Sequence, residues 1–128
     1  MPKSILVDTD VMIDYLRGNE KAVSFLKRHA DHIVLSSITV AELYAGVQGE
    51  AEQELLDAVI ALFRIIPVTV ESAKIGGLLK QTFGKSHGVG LADAIIAATI
   101  QIENTELGTL NTKHYPMLAG LKPAYSKK

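Results

Sequence analysis

The sequence predicts an α/β fold, a three-layer α/β/α sandwich with a central parallel sheet. Two observations carry that expectation. Short unbroken apolar runs, the signature of strands buried on both faces, recur along the chain, and between them lie segments whose apolar residues follow helical spacing. Strands alternating with helices imply crossover connections, which set neighbouring strands parallel and cover both faces of the sheet.

The first run, Ser4 to Val7, ends in Asp8-Thr9-Asp10 and reads as a strand followed by a turn. Val11 to Arg17 reads as a helix stopped by Gly18, and Glu20 to His29 as a second, with Ala22, Phe25 and Leu26 on one side. Ile33 to Leu35 supplies another strand. Thr39 to Val47 and Ala51 to Phe63 read as helices parted around Gly49. Ile65 to Val68 is a third apolar run, and the helix after it, from Glu71 to Phe83, carries Ile75, Leu78 and Leu79. The glycines of the stretch Lys85 to Gly90 predict a loop. Leu91 to Ile102 follows as a strongly apolar helix, Glu106 to Leu110 as a fourth strand, and Gly120 to Pro123 as a short edge strand.

A chain of 128 residues is about the size of one domain, so residues 1–128 are expected to form a single unit. Apolar residues make up 48% and charged residues 21%, enough apolar surface to offset the entropy of ordering, which excludes a disordered chain. With no cysteine, neither a disulfide framework nor a thiolate metal site is available. Asp8 ends the run Ile5 to Val7 long before the length of a signal or membrane segment, so a soluble, cytoplasmic protein without membrane contact is expected. The net charge of −1 lacks the Lys/Arg excess usual in phosphate-binding proteins. Acids clustered at one centre lower such a total, and a bound divalent cation reverses the sign locally.

In parallel sheets ligands bind at the carboxyl edge of the strands, so residues just after strands matter most. Asp8 and Asp10 follow the first strand, Glu42 comes soon after the second, Asp93 opens a late helix and Asn111 follows the fourth strand. Oxygen donors meeting there suit Mg²⁺ or Mn²⁺. Each acid also has a purely structural reading. Asp8 or Asp10 can cap the first helix; Thr39-Val40-Ala41-Glu42 fits a capping box; Asp93 in a first helical turn is favoured by the helix dipole. The small and apolar neighbours of Asp93, from Leu91 to Ala98, would make an uncompensated carboxylate costly, and Glu42 lies among Ile38, Val40 and Leu43.

Together these residues resemble the PIN-domain family, and within it the VapC-type toxins, over essentially the whole chain. Ile5 to Asp10 looks like the family's opening strand and acid, Ser36 to Leu43 like its second motif, Leu91 to Thr99 like its third, and Gly108 to Tyr115 like its fourth. Many members carry an acid where Asn111 stands, so this site is one charge less negative. The resemblance implies an endoribonuclease that hydrolyses RNA phosphodiester bonds with a metal-activated water, leaving a 5′-phosphate and a 3′-hydroxyl. It assigns Asp8, Glu42 and Asp93 to Mg²⁺ or Mn²⁺, with Asn111 and Asp10 orienting ligands or water. Thr9, Ser36 and Thr109 match positions that supply hydroxyls to this network, or else end strands and cap helices. It also implies an antitoxin that caps the acidic groove, and a homodimer.

Two other readings stand beside it. Asp8-Thr9-Asp10-Val11-Met12 approximates the motif of haloacid-dehalogenase-type phosphatases, with Asp8 as nucleophile and Asp10 as acid-base, although Met12 breaks its last position. A PIN-like scaffold that only binds partners is the other. A receiver domain is excluded by the absence of an acid in Ile65 to Val70. His29, His32, His87 and His114 read as surface residues.

Overall fold

A computed structural model describes residues 3–126; the outer ends of the unit expected over 1–128 lie outside the described residues. Strands β1 (Ile5–Val7), β2 (Ile33–Ser36), β3 (Arg64–Ile66) and β4 (Glu106–Gly108) form one sheet in the order β3-β2-β1-β4, with each adjacent pair parallel. Helices α1 (Thr9–Leu16) and α2 (Glu20–Arg28) join β1 to β2, α3 (Ser37–Ala45) and α4 (Gly49–Ile60) join β2 to β3, and α5 (Val70–His87) and α6 (Leu91–Glu103) lead back to β4 beside β1.

The alternation of strand side chains builds the layers. Val7, Ile33 and Leu35 face one way and pack with Val11, Met12, Phe25, Leu26, Leu43 and Leu56 of α1 to α4. Leu6, Val34, Ile66 and Leu107 face the other way and pack with Ile96, Ala97 and Ile100 of α6 and with Tyr115. The sheet thus lies between two helical layers, as expected. Fully buried residues such as Leu6, Val7 and Ile96 each contribute roughly 1.5–3 kcal/mol by leaving water.

Helix α5 lies so close to α6 that a Cβ on Gly76 would stand 2.7 Å from Ile95 Cγ1 and 2.8 Å from its Cα. Only a residue without a side chain lets the two backbones approach at that point. This contact holds α6 against α5 at Ile95, two residues after Asp93.

Three expectations need correction. Lys85, Ser86 and His87 belong to α5 rather than to a loop, because no residue before Gly88 breaks the helix; Gly88 ends it with a left-handed φ of +64°. Residues 120–123 form no strand: Gly120 has a φ of +71° and Pro123 lacks an amide proton, although Ala124 N donates to Thr109 O at 2.9 Å. The Thr39/Glu42 capping box is absent, since Ser36 is the N-cap of α3 and Thr39 sits inside the first turn. Among the described residues no helix is long and apolar enough to cross a membrane.

Candidate active site

The carboxyl edge of the sheet gathers the candidate residues at different depths. Asp8 follows β1 directly and is 5% exposed. Its Oδ1 accepts from the Thr9 amide at 2.8 Å, capping α1, while its Oδ2 accepts from Thr109 Oγ1 at 2.9 Å and from the Tyr115 hydroxyl at 2.7 Å. Capping uses one oxygen and leaves the other to the site, so the structural and functional readings of Asp8 coexist.

Asp93, in the first turn of α6, is half-buried. Its Oδ1 accepts from the same Tyr115 hydroxyl at 3.2 Å, and its Oδ2 lies 3.1 Å from His114 Nδ1. Burial raises the Asp93 carboxyl above its ordinary value, and Asp8 and Glu42 raise it further, while His114 and the Tyr115 hydroxyl pull it down. These two neighbours compensate the charge only in part, since the carboxyl stays raised. Burial and the carboxylates of Asp8 and Asp93 raise the Tyr115 hydroxyl far above its usual range, so it remains a hydrogen-bond donor.

Glu42 is exposed, contrary to the core-like setting expected: helical spacing in α3 turns Leu43 inward and Glu42 outward. It is nevertheless tied to the edge, because Thr9 Oγ1 donates to Glu42 Oε1 at 2.6 Å. The fully buried Thr39 stands 3.3 Å from the same Thr9 hydroxyl.

Asp10 is turned toward the backbone. Its Oδ1 accepts from Val11 N at 2.7 Å and its Oδ2 from Leu110 N at 2.9 Å, with Thr109 Oγ1 at 3.3 Å. Burial and then Asp8 raise its carboxyl, against the lowering effect of the Leu110 and Val11 amides and the Thr109 hydroxyl. Asp10 therefore laces the end of β4 to the start of α1.

The buried Thr109 hydroxyl faces both Asp8 and Asp10 and accepts from Asn111 N at 3.1 Å. Asn111 joins the network through that amide, and its side chain is exposed. Ser36 is buried, and its Oγ accepts from Ile38 N at 3.1 Å as the cap of α3.

The edge therefore brings Asp8 and Asp93 together across one phenol, with Glu42 at the rim. Among the described residues no cluster of three or more acid or histidine side chains is arranged to hold a metal ion. Sequence reasoning missed Tyr115, Thr39 and the pairing of His114 with Asp93. Each had a usable signal, since Tyr115 and His114 lie in the fourth motif and Thr39 in the second.

Beside Glu42 runs a groove of about 390 Å³ between α1, α3 and α4, lined by Ile13, Leu16, Arg17, Val47 and Leu55. Leu16 is 43% and Leu55 67% exposed, an apolar surface at the edge of the acidic site.

Comparison with known proteins matches residues 5–116 to the PIN domain model. Ribonuclease VapC10 of Mycobacterium tuberculosis is 37% identical over 125 residues, spanning 95% of this chain and 93% of that protein. Ribonuclease VapC19 of the same organism is 36% identical over 124 residues, 94% of this chain and 98% of that one. A solved toxin-antitoxin complex from Klebsiella pneumoniae contains a chain 30% identical, with a TM-score of 0.81 over 95% of this chain and 98% of its own.

Proposed function

The chain belongs to the PIN domain family, and on that premise we propose that it is a metal-dependent endoribonuclease, the toxin of a toxin-antitoxin pair. The observation that carries the reading is the meeting of Asp8 and Asp93 on the single hydroxyl of Tyr115 at the carboxyl edge of the sheet. The names of the two mycobacterial relatives and of the Klebsiella complex support the same reading.

The donor set fits Mg²⁺ or Mn²⁺. It consists of oxygens, and the burial and neighbouring carboxylates that raise Asp93 are the costs a divalent cation would offset. Mg²⁺ commonly takes one or two carboxylates directly and keeps water elsewhere, so a pair of close carboxylates suffices without a tight cage. Asp8 and Asp93 would hold the ion, with Glu42 adding charge at the rim. Such an ion supplies Lewis-acid polarisation of the phosphodiester and acidifies a water.

The other residues hold this arrangement. Thr109 and Tyr115 orient Asp8, and Thr9 holds Glu42. Asp10 locks β4 against α1. Asn111 and Lys113, both exposed beside this network, offer an uncharged amide and a cation to the RNA backbone.

The apolar groove beside Glu42 suits an antitoxin segment with apolar anchors and a cationic residue directed at the carboxylates. A second copy of the chain is the other partner proposed.

Purified protein incubated with RNA is expected to cleave it in Mg²⁺ or Mn²⁺ and to stop in EDTA, and Asp93→Asn to abolish cleavage while remaining folded. Cleavage indifferent to EDTA, or full activity in Asp93→Asn, overturns the assignment. Expression without a partner is expected to arrest growth for the wild type and not for Asp93→Asn. Unimpaired growth alongside cleavage in vitro would remove the toxin role and leave the nuclease.

A further inference from the structure

We propose that Tyr115 is a positioning residue for the cation: its hydroxyl, carried on an immobile ring, sets the separation of the Asp8 and Asp93 carboxylates. The inference rests on the reading of those two acids as cation ligands, but concerns a side chain to which that reading gives no part of its own.

The ring is 1% exposed and belongs to the core beneath the sheet, packed with Leu6, Ile96, Ala97 and Leu107. A side chain enclosed at crystal-like density has little freedom, so its hydroxyl is a fixed point. From there it meets Asp8 Oδ2 at 2.7 Å and Asp93 Oδ1 at 3.2 Å. The two carboxylate oxygens can be no farther apart than those two contacts laid end to end.

Among the described residues, the remaining contacts of the pair do not span it. The Thr9 amide and the Thr109 hydroxyl hold Asp8, and Thr109 reaches on to Asp10. The half-exposed His114 holds the outer oxygen of Asp93. The phenol is the one group in these contacts that reaches both carboxylates. With one proton to share, it holds Asp8 at the shorter contact of 2.7 Å and Asp93 at 3.2 Å, which leaves Asp93 the looser of the two ligands.

Tyr115→Phe keeps the ring and removes the hydroxyl, which isolates this role from packing. The experiment titrates Mn²⁺ into the full chain calorimetrically for wild type, Tyr115→Phe, Thr109→Val and Asp93→Asn, and measures melting in EDTA for each. Groups that orient ligands typically change metal affinity by roughly 10–100-fold, and a weakening in that range is expected for Tyr115→Phe. Thr109→Val, which frees the same Asp8 oxygen without touching the bridge, is expected to weaken Mn²⁺ clearly less. The Mg²⁺ concentration for half-maximal RNA cleavage should rise with the Mn²⁺ dissociation constant, while the rate at saturating Mg²⁺ falls far less.

A lowered melting temperature in Tyr115→Phe with unchanged Mn²⁺ affinity would make the hydroxyl merely structural and overturn the proposal. So would equal losses in Tyr115→Phe and Thr109→Val. Wild-type affinity in Asp93→Asn is a different failure: it would remove the carboxylate site itself.

Discussion

Asp93→Asn should produce a stability order that reverses with the metal. Without a cation, the ionised Asp93 is disfavoured by burial and by the charges of Asp8 and Glu42. Asparagine removes the two charge repulsions and lessens the burial cost, while its amide oxygen can still accept from Tyr115. It forfeits the contact with His114, whose side chain is 48% exposed and whose pairing is therefore worth at most about 1 kcal/mol. The net gain is expected at about 1 kcal/mol, within the usual range for relieving a charge held for function, or roughly 2–8 °C in melting temperature.

The sign can be checked against pH. The Asp93 carboxyl is raised from 3.8, so the folded protein holds that proton more tightly than the unfolded chain. The wild type therefore carries no penalty below that value; the penalty grows as pH rises through the raised folded value and is complete above it. The advantage of Asp93→Asn should be full near neutrality and fade on acidification.

Mg²⁺ reverses the order. At a concentration 100 times its dissociation constant, a ligand bound only by the folded state adds about 2.7 kcal/mol to the wild type. A variant that no longer binds gains nothing. Thermal melts in EDTA and in Mg²⁺ at pH 7 test this directly: Asp93→Asn should melt higher in the first and lower in the second. A variant less stable than wild type in EDTA, or one that gains as much from Mg²⁺, would refute the reasoning, because Asp93 would then be a structural ion-pair residue.

Thr109→Val removes the hydroxyl that donates toward Asp8 and Asp10 and accepts from Asn111 N, leaving buried polar atoms short of a partner. A loss of about 1–3 kcal/mol is expected by denaturant titration, and a loss under about 0.5 kcal/mol would show that water replaces the hydroxyl at no cost. Gly76→Ala places a Cβ within 2.8 Å of the Ile95 backbone, which cannot yield as a flexible side-chain tip would. A destabilisation of about 1–3 kcal/mol is expected, with a drop in RNA cleavage as the start of α6 shifts; a variant as stable as wild type would show that α5 and α6 separate freely.

Much of the fold was legible because it rests on local pattern. Leu6 and Val7, adjacent in one apolar run, face opposite cores, and such runs announce strands covered on both sides. The errors came where a non-local or conformational fact decides. His87 stays helical because nothing before Gly88 interrupts α5, and the glycines that suggested a loop act only from Gly88 onward. Ser36, three residues before the expected start, caps α3 and so displaces Thr39 into the helix, where it is buried beside Thr9.

The site divides along the same line. Positions directly after strands, Asp8 above all, could be identified because strand order alone assigns them to the carboxyl edge. The support of those acids could not, since it depends on which side chains fold back over that edge. Tyr115 and His114 are neighbours in sequence yet do opposite things: one is buried and joins two acids, the other is half-exposed and pairs with one. The chain leaves the short 3-10 helix Thr112–His114 at this point, so consecutive residues take different directions. The near-neutral total charge obscured the local one for a related reason: the pair Asp8 and Asp10 lies far in sequence from Glu42 and from Asp93, and they become a concentrated negative edge only after the crossovers close. A protein can thus gather a concentrated negative edge without a biased composition, provided its topology rather than its sequence spacing collects the acids.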